Sequence, residues 1–153
     1  MRRLAERLDI QAPSLYKHFR GKTELEAALA ARVLDELGNV LEQAAGLEGL
    51  SRGYRAWALR HPHLYRLMTE RAAEDSAARA AAPILLAVGD PARARAAWAF
   101  AHGMVELELA GLFQSAADLE AAWAAGIRAF GGVPEPVAPP PPAPAVFTSF
   151  RVD

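Results

Sequence analysis

No cysteine occurs among the 153 residues. That excludes a disulfide scaffold, a thiol nucleophile and a thiolate metal site, and a reducing cytoplasm is the expected location. Long apolar stretches are also missing. The longest strictly apolar runs, such as Ala80 to Val88, reach about half of what a membrane span needs. Charges at Arg2, Arg3, Glu6, Arg7 and Asp9 interrupt the start, so no signal-peptide core is expected there. The motifs of common enzymes are lacking as well. There is no Gly-rich phosphate loop, no Gly-x-Ser-x-Gly elbow and no His-Glu-x-x-His zinc pair. The four histidines are scattered. His61 and His63 flank a proline and cannot share a helix face, which makes a poor metal site with His102. No catalysis, cofactor or metal is expected.

What remains is an ordinary globular balance, 52% hydrophobic and 23% charged. A chain of this length forms one domain or two small ones and buries about 70% of its unfolded surface. Alanine is abundant, β-branched residues are few, and no segment alternates with period two. The expected class is therefore all-α. The net charge of −1 is distributed unevenly. Residues 1–25 carry six Lys/Arg against three acids, and the remainder carries eleven against fifteen. A basic head on an acidic body suits a chain whose one end meets a polyanion, although a solvated cationic face would look the same.

The pattern predicts a short helix over 2–9, a tight turn at Asp9-Ile10, and a second short helix from Pro13 to about Phe19, ended by Gly21. Thr23-Glu24-Leu25-Glu26 reads as a capping box opening a long helix to about 45, with Leu25, Leu29, Val33, Leu37 and Leu41 as its stripe. Helices follow at about 48–60, 62–71 and 74–88. Asp90-Pro91 opens another to about Phe113, and Ser115 with Asp118 opens a last one to about Phe130. Seven of eleven prolines fall in 134–144, predicting a polyproline-like or disordered tail. Three segments follow: a head with its linking helix over 1–45, a helical body over 46–131, and a Pro-rich tail over 132–153.

Two short helices joined by a tight turn make a helix-turn-helix, whose second helix enters the DNA major groove. Leu15 and Phe19 are spaced to pack inward with Leu4, Leu8 and Ile10. Ser14, Tyr16, Lys17 and His18 are left to offer hydroxyl, phenol, ammonium and imidazole groups to phosphates or base edges. Lys22 opens the next helix at a phosphate-contact position, and Arg2 opens the first.

The run from Met1 to Leu25, with its Leu15-Tyr16-x-His18-Phe19 core followed by Lys22 and Leu25, resembles the DNA-binding head of the TetR family of bacterial transcription regulators. Pro13 beside Ser14 resembles the tetracycline-repressor branch. The resemblance implies that Ser14, Lys17 and His18 face the major groove and that Tyr16, Lys22 and Arg2 contact phosphates, with Gln11 and Pro13 completing the DNA-binding set. One departure stands out. The family has a further helix before its helix-turn-helix, and here Met1 falls at the start of the second family helix. Without that cover Leu4, Leu8, Leu25 and Leu29 should be partly exposed. Either the chain starts further upstream, or it is a truncated form that binds DNA poorly.

His61 to Met68 and the run Ala101 to Gly111 resemble the C-terminal domain of a TetR subgroup marked by a Trp-His-Gly triplet, with Ala101 in place of the Trp. The implied protein is a homodimeric, ligand-responsive regulator, a repressor, joined through helices 91–113 and 116–130 and bound to a pseudo-palindromic operator. The helix over 91–113 is apolar almost all round, with Gly103, Ala110 and Gly111 permitting close approach. His102 lies on the stripe Trp98–His102–Val105–Leu109, with Glu106 four residues on. His102 and Glu106 are expected either to orient a small effector or to bond each other as a satisfied core pair. Tyr54, Trp57, Tyr65 and Met68 would supply the wall. The alternative is an all-helical dimerisation or ligand-binding module without DNA binding.

Overall fold

The computed structural model describes residues 1–71 and 74–131. The expected Pro-rich tail at 132–153 lies outside the described residues. Within them the chain is all helix and connecting turn: α1 Arg2–Arg7, α2 Ala12–His18, α3 Lys22–Glu42, α4 Gly46–Arg60, α5 Pro62–Arg71, α6 Glu74–Val88, α7 Pro91–Leu109 and α8 Ala116–Gly131.

Backbone chemistry explains the boundaries. α1 closes through Asp9 at φ 53°, with the Asp9 N–H donating to Glu6 O at 3.3 Å and the Ile10 N–H to Ala5 O at 3.0 Å. These paired bonds satisfy carbonyls that the helix end would otherwise orphan, and Asp tolerates the left-handed geometry they need. α7 ends in the same way at Gly111, φ 67°. Its N–H reaches Glu108 O and that of Leu112 reaches Leu107 O, both at 3.0 Å. The helix therefore stops at Leu109, short of the expected Phe113, and Gly111 is a terminator rather than a helix-contact residue. Asp90 and Ser115 cap as expected, accepting from the N–H groups of Arg93 at 2.7 Å and Asp118 at 3.1 Å.

The start of α3 differs from expectation. Gly21 is extended and acts as its N-cap, α2 having already ended with Phe19 in extended conformation. Thr23 makes no cap. Instead Glu24 reaches back and accepts from the Arg20 N–H at 2.6 Å, and Glu26 is taken up by ion pairs to Lys22 and Arg71. The expected stripe also drifts. Successive i+4 steps rotate by about 40° around a helix of 3.6 residues per turn. Val33, Leu37 and Leu41 are buried, whereas Leu25 is half-buried and Leu29 exposed. Ala30, Leu34 and Gly38 complete the inward face.

α3 packs against α4, α5 and α6, so much of the helix expected to link head and body lies in the body's core. α7 lies on α4, α6 and α8. Leu34, Leu37, Tyr65, Met68 and Val105 are the largest wholly buried side chains. Arg55 of α4 ties the far side together. Its Nε and Nη2 grip both oxygens of Glu108 on α7 at 2.8 and 2.9 Å. Its Nη1 reaches Glu120 of α8 at 2.7 Å, and its guanidinium lies 5.8 Å from the Trp123 ring centroid. The fork on Glu108 holds the Arg55 proton more firmly than usual. Arg55→Ala should cost about 1–2 kcal/mol in urea denaturation, because a part-buried Glu108 loses both bonds. Arg55→Lys should recover only part of this, since an ammonium cannot reproduce the fork.

Candidate nucleic-acid interface and body cavity

α1 and α2 pack on each other through the tight turn at Asp9. Ala5 and Leu15 are the buried residues of this unit. Phe19 and Leu4 are half-buried. Ile10, expected inward, is 41% exposed, and Leu8 is 55% exposed; with Leu4 and Leu25 half-buried and Leu29 exposed, this is the partial exposure expected of apolar residues that lack a covering helix. Among the described side chains of α2, Leu15 is the one buried anchor. Around it Pro13, Tyr16, Lys17 and His18 are exposed and Ser14 is half-buried. Tyr16 is 55% exposed rather than packed on a neighbouring helix. Gln11 is the extended N-cap of α2, and Arg2 opens α1, both exposed. Lys22 is exposed at the first turn of α3 and pairs with Glu26 at 3.2 Å. Arg3 and Arg7 add exposed cations on α1. The result is a short helix with a hydroxyl, a phenol, an ammonium and an imidazole around one apolar anchor, flanked by lysine and arginine. That arrangement can place donors on base edges and on phosphates on either side.

The second feature is a cavity of about 270 Å³ between α3, α5 and α7, walled by Leu34, Met68, Trp98 and Ala99, with Thr69, Arg95 and His102 as its polar groups. Of the body residues singled out in the sequence, Met68, Trp98 and His102 border it. Tyr54 and Tyr65 stand behind it, buried. Trp57 and Glu106 do not line it. Trp57 is committed elsewhere, its indole N–H donating to Glu36 at 3.1 Å and its ring lying 5.3 Å from that of His61. The expected His102–Glu106 pair does not form. His102 Nδ1 instead meets the Tyr65 hydroxyl, which in turn accepts from the Tyr54 hydroxyl at 3.2 Å. Burial pushes both tyrosines above their ordinary value, with the Glu106 charge adding to it, so both hydroxyls stay protonated at neutral pH. Arg95 belongs to no local sequence motif. It lies three residues before Trp98 and seven before His102, which is one helix face, and that periodicity could have revealed it.

α5 spans the distance between the two features. Met68 and Thr69 border the cavity, while Arg71 in its last turn pairs with Glu26 at 3.5 Å, the same carboxylate that holds Lys22.

A basic helix-turn-helix set on an all-helical body defines a class of DNA-binding regulator. Residues 1–29 match the bacterial regulatory proteins of the TetR family, and residues 47–130 match the tetracyclin repressor-like C-terminal domain. The second match alone spans more than half of the chain, and the chain belongs to the TetR family of transcriptional regulators. It is similar to the crystal structure of a protein described as regulatory, SCO4313, with a TM-score of 0.69 and 27% identity over 82% of this chain and 81% of that one. No curated protein matches the chain. Among the described residues no helix is long and apolar enough to cross a membrane.

Proposed function

We propose that this regulator is a homodimeric repressor that holds a pseudo-palindromic operator and is released from it by a small effector. The observation that carries the DNA-binding half is the exposure of Tyr16, Lys17 and His18 on a helix whose Leu15 is buried. Dimerisation through α7 and α8 is supported by their outer faces, where Ala92, Ala96 and Leu107 on one helix and Ala117, Ala121 and Ala125 on the other are exposed small or apolar residues. Two such helices from each protomer suit a four-helix bundle. A two-fold dimer would set its recognition helices about 34 Å apart, one turn of DNA. Release is supported by α5, which touches both the cavity and the ion pairs at the start of α3. An occupant that displaces α5 would act on the head through Arg71 and Glu26, provided it binds the displaced form better.

A gel-shift titration against the DNA upstream of the chain's own reading frame tests this. Lys17→Ala and His18→Ala should each cost about 1–3 kcal/mol at the cognate sequence and relax its sequence preference. Lys22→Ala should weaken binding to every sequence and lower the salt slope by about one per protomer. The exposure of Leu8, Ile10 and Leu29 favours a second reading, a helical ligand-binding module whose head does not engage DNA. Absence of retardation at low salt at every concentration would decide for that reading.

A further inference from the structure

The polar groups of the α3/α5/α7 cavity have a consistent hydrogen-bonding sense. Tyr54 donates to the Tyr65 oxygen, and the single Tyr65 proton goes to His102 Nδ1, much the nearer of its two acceptors, rather than to the His102 carbonyl oxygen at 3.4 Å. The neutral imidazole then carries its hydrogen on Nε2, the ring nitrogen not taken up by Tyr65, and His102 borders the cavity. If the ring takes a second proton, Nδ1–H donates to Tyr65 and Nε2 still carries a hydrogen. Nε2 is a donor in both states. Arg95 is donor-only, exposed, and has no partner among the described residues. Thr69 spends its proton on the Arg66 carbonyl at 3.0 Å. Glu106 is the nearest carboxylate whose charge reaches this relay, and it does not line the cavity. The walls are otherwise apolar. Arg95 and Trp98 also border a wider, separate groove of about 580 Å³ between α6 and α7, lined by Ala81, Leu85 and Ala94.

We propose that this site takes an aliphatic monocarboxylate, its head held by the Arg95 guanidinium and the His102 Nε2–H, its chain lying against Leu34, Met68 and Trp98. The proposal rests on reading the cavity as the effector site and names the chemical class of effector. A guanidinium with a second fixed donor matches the two oxygens of a carboxylate, while an ammonium or an unaccompanied hydroxyl would leave those donors poorly paired.

The probes are octanoate, octanol and octylamine, each titrated into the full chain by calorimetry and thermal shift, since a ligand of the native state raises the melting temperature. Octanoate should bind at least about tenfold more tightly than the other two. Arg95→Gln should weaken octanoate about tenfold or more. Arg66→Gln, which removes an exposed cation on α5 away from the cavity lining, should leave binding unchanged. Thr69→Trp, which fills the rim from an exposed position, should abolish it. If octanol or octylamine binds as tightly as octanoate and Thr69→Trp still abolishes binding, the carboxylate assignment fails and the effector site stands. Octanoate binding that survives Thr69→Trp overturns both. No binding of any probe up to millimolar concentration overturns the carboxylate assignment.

Discussion

Tyr65→Phe should lower the unfolding free energy by about 1–3 kcal/mol, and Tyr65→Ala by about 4 kcal/mol or more. Tyr65 is wholly buried, and its hydroxyl joins the Tyr54 hydroxyl to the imidazole of His102. Phenylalanine keeps the volume and the edge-on contact with the Tyr54 ring, whose centroid lies 6.0 Å away. It leaves a buried donor on Tyr54 and the Nδ1 of His102 without their shared partner, and such orphaned groups carry the desolvation cost. Alanine adds a cavity at the centre of the packing between α4, α5 and α7. For a chain of this size each kcal/mol corresponds to about 2–4 °C in melting temperature, so a thermal melt separates the two variants. A Tyr65→Phe protein as stable as the parent would show that the hydroxyl relay contributes nothing.

The second large effect is expected at Gly126. A Cβ placed there would overlap the tip of the Phe100 ring. That ring cannot simply swing aside. It stands edge-on to Trp123 at 5.7 Å and lies 5.8 Å from Phe130. Gly126→Leu should therefore cost about 2–3 kcal/mol by overpacking. Gly126→Ala should cost less, because alanine recovers about 1 kcal/mol of helix propensity. Combining Gly126→Ala with Phe100→Leu should restore part of the loss in a double-mutant cycle, since the two changes address one contact. Additive effects would mean that the glycine is not there to admit the ring.

The sequence carried the helix count and the caps at Asp90 and Ser115, because these are local backbone signals. It carried the head because Leu15-Tyr16-x-His18-Phe19 and Lys22 form a compact motif. What it could not carry was decided by long-range packing. Trp57 looks like a pocket aromatic until Glu36, 21 residues away, takes its indole N–H. The partner of His102 is on α5, not one turn along its own helix. The ion pair from Arg71 to Glu26 joins residues that no local pattern connects. Arg95 is a different case. Its place on the Trp98–His102 face follows from helical periodicity alone, but a solvated arginine on an apolar helix attracts no notice until the cavity is visible.

The 21 residues of α3 make a rod about 30 Å long. Its C-terminal half is clamped in the body and its N-terminal turn adjoins α2, so small rotations at one end are magnified at the other. A pivot of about 5° at the edge of the clamped half would sweep the far tip by about 1.3 Å over the remaining length of about 15 Å. In a two-fold assembly both tips would travel, and the spacing between reading heads would change by up to twice that. Hydrogen bonds in the groove tolerate a few tenths of an ångström. Leverage of this kind would let a modest rearrangement around Met68 and Thr69 throw the two heads out of step with the pitch of the double helix.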